Sequence, residues 1–134
     1  MVSATAQDTH SGLAVLGTDT IHFPETILKG DTIMAVFHIA NHSNAPFKIY
    51  QVYASCQCTA PQYAHDTFQP GRVDSVVMFF HSKNTTETNF EKYVLLLTPI
   101  GEKAFFLKGT MYIPSALDKT RQPKMHHITN STKP

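Results

Sequence analysis

The sequence predicts an all-β protein, an antiparallel β-sandwich of about seven strands, and three observations predict it. Short runs of β-branched, aromatic and other apolar residues recur through residues 18–113. Turn pairs such as Gly30-Asp31, Pro70-Gly71 and Gly101-Glu102 separate them. No segment carries the 3.6-residue apolar period of a helix. A length of 134 residues suits one domain with a core that needs no staples. The balance of 42% hydrophobic to 16% charged residues is that of a globular chain and not a disordered one.

The first run, residues 20–23, is expected to stop at Pro24, which has no N–H for a ladder. Residues 32–40 form the second. Alternation there puts Ile33, Ala35, Phe37 and Ile39 on one face and His38 on the other. In the third, 47–54, Phe47 and Ile49 share a parity that Val52 breaks, which predicts a bulge. Beyond it Val52, Ala54, Cys56 and Cys58 fall on one side if the chain stays extended. Residues 73–82 follow, and 76–80 are apolar on both faces. Such a strand is covered twice, or it presents Val77 and Phe79 to a partner, a second copy of the chain included. Residues 90–98 come after the polar loop Lys83-Asn84-Thr85-Thr86, and 104–113 complete the set. Residues 1–17 and 114–134 lack periodicity and read as flexible ends.

An Ig-like arrangement of these strands has to rest on its apolar faces. There is no Trp, and the two cysteines are too close in sequence to bridge two sheets. A net charge of +1 provides no footprint for nucleic acid. No apolar run approaches the roughly 18 residues that span a bilayer. Acidic residues are scattered singly, and neither a Ser/His/Asp arrangement nor a Gly-rich phosphate loop is present, so the chain reads as non-enzymatic. Ala4-Thr5-Ala6 has the small-x-small form of a signal-peptidase site, which fits an exported protein.

The most specialised stretch is Ser55-Cys56-Gln57-Cys58-Thr59, with both cysteines of the chain. Four readings are open. As structural thiols they fill space at the sandwich edge. A disulfide needs a bend at Gln57, because i and i+2 Cα atoms in a strand stand nearly 7 Å apart. As thiolates they suit Cu(I), with His65 or Met78 as further ligands. Redox chemistry is the fourth, though its usual frame is Cys-x-x-Cys at a helix N-terminus. No cofactor is required by any pattern; copper is the alternative. His126 and His127, beside Met125, read as solvated tail residues.

Several stretches together resemble the DUF1573 family. They are Lys29-Gly30-Asp31, Phe37-His38-Ile39-Ala40-Asn41, Ser55-Cys56-Gln57-Cys58-Thr59-Ala60-Pro61, Pro70-Gly71 and Leu107-Lys108-Gly109. The resemblance implies an Ig-like domain, typically exported, mostly from Bacteroidetes, with no established biochemical role. The family usually has Gly where this chain has Gln57 and where it has Pro24. A side chain at 57 narrows the backbone choices there. The layout of Cys-x-Cys, a Pro-Gly turn and an apolar strand is also similar to that of a copper chaperone of cytochrome oxidase assembly. The function these features imply is an exported binding or assembly module with a protein partner, or else copper handling through Cys56 and Cys58.

Overall fold

The computed structural model describes residues 12–114 and 122–130. Its strands are β1 (Leu13–Leu16), β2 (Thr20–Leu28), β3 (Thr32–Asn41), β4 (Gln51–Ala54), β5 (Thr59–Gln62), β6 (Val73–His81), β7 (Asn89–Thr98), β8 (Gly101–Tyr112) and β9 (Met125–Thr129). One sheet has the order β1-β3-β6-β5, with β9 beside β1 on the same edge of β3; the other has the order β2-β8-β7-β4. The result is the expected Ig-like sandwich, with nine strands among the described residues where the sequence suggested about seven. It is antiparallel except at β2–β8 and β3–β9, which run parallel. Both parallel pairs join segments far apart in sequence, as parallel pairing requires.

The alternation read in the second run holds. Ile33, Ala35, Phe37 and Ile39 are fully buried between the sheets, facing Val76, Met78 and Phe80 on β6. Phe37 meets Phe105 of the opposite sheet at 4.8 Å between ring centroids, and Phe80 meets Phe90 at 4.7 Å. Gly109 faces Phe90 so closely that a Cβ there would lie 2.6 Å from the ring. Asn41 ends β3 with a buried side chain that donates to the carbonyls of Ala45 and Phe68 and accepts from the Ser43 N–H and hydroxyl.

Four expectations need correction. The first run does not end at Pro24: β2 continues to Leu28, with a register irregularity between His22 and Thr26. As an edge strand it accommodates the missing N–H at that irregularity. The third run has no bulge. Phe47, Ile49 and Val52 are all buried, but Phe47 makes an isolated bridge to Phe68 and only residues 51–54 join a sheet. The parity change occurs where the chain leaves the ladder. At the front end, residues 13–16 form β1 on β3, with Leu13 and Ala14 buried.

The fourth correction is at the back end. Residues 125–129 pair with residues 32–36 as β9. Ile128 packs against the core. The His126 ring lies edge-on to Phe23 at 5.2 Å, and its Nε2 is 2.9 Å from Oδ2 of Asp31. Asp31, fully buried, also accepts the Lys124 N–H at 2.9 Å and the Leu28 N–H at 3.2 Å. Asn130 then accepts the His38 N–H and donates to the Thr18 carbonyl. Pairing of main-chain groups tolerates a polar sequence, so this strand left no apolar pattern to read. Ala4-Thr5-Ala6 and residues 115–121 lie outside the described residues.

One pH effect follows from the second sheet. Lys103 hydrogen-bonds Asp19 at 2.8 Å and holds its carboxyl below the ordinary value of 3.8, against a smaller opposing effect of burial. A depressed folded-state pKa stabilises above the unfolded value and is lost as pH falls through the folded value. Asp19→Asn is therefore expected to lose a small part of its stability at pH 6 and none at the lowest pH, where wild type has lost the same contribution. Urea midpoints across that range read the difference, which solvent screening keeps small.

Candidate functional site

The chain leaves one sheet at Ala54 and joins the other at Thr59, so residues 55–58 must cross between the layers. Both flanks of the crossing are pinned. Ser55 donates its N–H to the Tyr93 carbonyl at 2.9 Å, and its Oγ accepts the Tyr93 N–H at 3.0 Å. Thr59 donates its N–H and hydroxyl to the Cys56 carbonyl at 3.2 and 3.0 Å, which closes a tight turn. The Cys58 carbonyl accepts the His81 N–H at 2.7 Å.

That turn brings the Cα atoms of Cys56 and Cys58 to 5.2 Å, and the two are joined as a disulfide. The separation lies within the bridging range, well short of the extended-strand distance. Gln57 is exposed, and its φ is not positive, so the bend needs no glycine. The Cys58 N–H points at Cys56 Sγ at 3.2 Å. Closing so short a loop contributes at most about 1.6 kcal/mol by chain entropy. The large fully buried side chains, Phe37, Phe68, Phe80 and Phe105 among them, hold the fold independently of it.

The disulfide walls a cleft of about 860 Å³, whose other sides are Thr32 and His81 at the end of the β3–β6 ladder and Lys83, Glu87 and Lys92 around the β6–β7 crossing. Lys92 is buried on β7, and its Nζ meets Glu87 Oε1 at 2.6 Å. His81 Nδ1 lies 3.2 Å from the Thr32 hydroxyl. Below the cleft, Ser82 Oγ accepts the Gly30 N–H and donates to the Asp31 carbonyl, while Lys29 Nζ donates to the Thr85 carbonyl. The Lys-Gly-Asp turn before β3 is thereby tied to the crossing after β6.

The suggested copper ligands are not gathered here. Cys56 and Cys58 line the cleft, but as a disulfide they have no thiolate to offer a soft metal. Met78 faces the inter-sheet core and is fully buried, because its parity on β6 matches Val76 and Phe80. The His65 ring lies tilted against Tyr63, centroids 4.5 Å apart, and does not line the cleft. Among the described residues no three His, Cys, Asp or Glu side chains are grouped to hold a metal ion.

Val77 and Phe79 point the other way, half-buried on the outer face of the first sheet, in register with Val36 and Met34 of β3. A second apolar outer face was missed by sequence reasoning. Tyr93, Leu95 and Phe106 lie on the outside of the second sheet beside the exposed Tyr53. The signal was there: Tyr93-Val94-Leu95-Leu96-Leu97 is apolar on both faces, like 76–80. The Lys92–Glu87 pair was not legible, since five residues across a crossing imply no contact.

A family model described as protein of unknown function (DUF1573) matches residues 15–111. No curated protein matches the chain. Among solved structures it is similar to the ASH/PapD-like domain 7 of human CEP192, with 11% identity and a TM-score of 0.59 over 86% of this chain and 95% of that one. It is also similar to a protein of unknown function from Porphyromonas gingivalis W83, with 12% identity and a TM-score of 0.61, over 73% of this chain and 46% of that one. The secreted serine protease VesC of Vibrio cholerae matches at 10% identity and a TM-score of 0.55, over 79% of this chain and 24% of that one. Identities this low speak for the fold alone.

Proposed function

This chain belongs to the DUF1573 family, and from that premise we propose that it is an exported, non-enzymatic module that binds a protein partner through the outer face of its first sheet. The observation that carries the proposal is the apolar row Met34, Val36, Val77 and Phe79, all outward-facing and only half-buried. A row of this kind gains by being covered. The short edge strand β5, four residues with Pro61 in it, is poorly suited to pairing with another strand, which favours contact through the face over contact along the edge. The disulfide supports export, since such bonds persist in oxidising compartments.

The test places a photo-crosslinking amino acid at position 77 or 79 in cells, with position 25 as the control. Glu25 is exposed on β2 of the other sheet. A discrete adduct is expected from 77 and 79 and not from 25, and Phe79→Lys in the same chain should abolish the adduct at 77. An adduct of twice the chain mass would identify the partner as a second copy. Equal labelling at all three positions would rule out this face as the binding surface.

A further inference from the structure

We infer that the Cys56–Cys58 disulfide is a thiol–disulfide exchange site for a protein or peptide dithiol. The inference does not depend on the sheet-face reading above. It rests first on access: both cysteines are only partly buried and form one wall of the cleft of about 860 Å³. Most purely structural disulfides join distant segments and are needed for stability. This one closes a loop with a sequence separation of 2 and adds little to the fold.

A redox site must survive both of its states. The crossing is held by hydrogen bonds that do not involve the S–S bond: Ser55 to Tyr93, Thr59 to the Cys56 carbonyl, and His81 to the Cys58 carbonyl. The dithiol form keeps all of them. Lys83, Lys92 and Glu87 line the same cleft, with Lys92 paired to Glu87.

The two sulfurs are not equivalent. Cys58 packs against the hydrophobic core, which leaves Cys56 the more approachable. A partner thiolate attacks Cys56 Sγ. A bond forms between the partner's sulfur and Cys56, the Cys56–Cys58 bond breaks, and its electron pair leaves on Cys58 Sγ as thiolate. The partner's second thiol, having lost its proton to water, attacks the partner sulfur of the mixed disulfide. The partner's own disulfide forms and Cys56 leaves as a thiolate. The partner gives up two electrons, this chain gains them, and water supplies any protons the two thiolates take up.

The experiment uses the full chain and glutathione as the probe. Wild-type protein treated with dithiothreitol without denaturant should gain two mass units and two countable thiols, keep its circular dichroism spectrum, and lose both thiols again in oxidised glutathione. Cys58→Ser, which retains Cys56, should form the glutathione adduct at least tenfold faster than Cys56→Ser. Thiols that appear only in denaturant, a chain that unfolds on reduction, or equal adduct rates for the two variants would each overturn the inference. The wild-type arm decides the question even if a serine variant fails to fold.

Discussion

Replacing Phe105 by Ala is expected to destabilise the protein by about 3–5 kcal/mol, the range for removing a fully buried aromatic ring. Phe105 sits on β8 with no exposed surface and bridges the two sheets through Phe37 at 4.8 Å. Neither sheet can close the gap alone, because each is anchored by its own ladder. The next residue is the control. Phe106 lies on the outer face, half-buried, against Tyr93 at 5.7 Å. Phe106→Ala is expected to cost about 1 kcal/mol. Urea midpoints of the two variants should therefore differ severalfold in displacement. Equal losses would mean that the inward and outward faces of β8 have been assigned wrongly.

Asp31→Ala is expected to cost about 2–4 kcal/mol, from charge-assisted hydrogen bonds lost and donors left unsatisfied. The buried carboxylate accepts from the N–H groups of Leu28 and Lys124 and faces His126 Nε2. Two of those three partners flank or belong to β9, so the loss should be local first. Amide hydrogen exchange across residues 125–129 should accelerate well before the core amides of β3 and β6 respond. Asp31→Asn is expected to fall between wild type and Ala. Its oxygen can still accept from Lys124, and its amide can donate to His126 only if the ring takes the tautomer with a bare Nε2. A uniform rise in exchange over the whole chain would show that Asp31 supports the global fold and not β9 in particular.

The motif residues that carried the family resemblance turn out to be mostly architectural, and their reasons are tertiary. Asp31 clasps β9, Asn41 at the end of β3 satisfies the carbonyls of Ala45 and Phe68, and Gly109 leaves room for the Phe90 ring. Ser55 and Thr59 frame the cysteines by pinning the crossing on either side. Most of these partners are distant in sequence; the Ala45 carbonyl for Asn41 and the Cys56 carbonyl for Thr59 are the local ones. A residue type at one position says that something is needed there, not which distant group needs it.

What the sequence determined by itself was the all-β class, the inward parity of Ile33, Ala35, Phe37 and Ile39, the two-sided apolar run at 76–80 with Val77 and Phe79 on one face, and the existence of a specialised Cys-x-Cys stretch. Each of these depends on a two-residue period or on turn chemistry, which is local physics. The tertiary structure alone decided three things. Strand β9, with its polar residues, is held by backbone pairing and by Asp31. Met78 belongs to the core and His65 to a separate ring contact, so the cysteines stand without them. The turn through Gln57 joins the two cysteines and opens them onto a cleft with Lys83 and Lys92. The reason is the same in each case: these outcomes depend on which distant segments the sandwich brings together, and main-chain pairing and sheet crossings leave no periodic mark on the residues that make them.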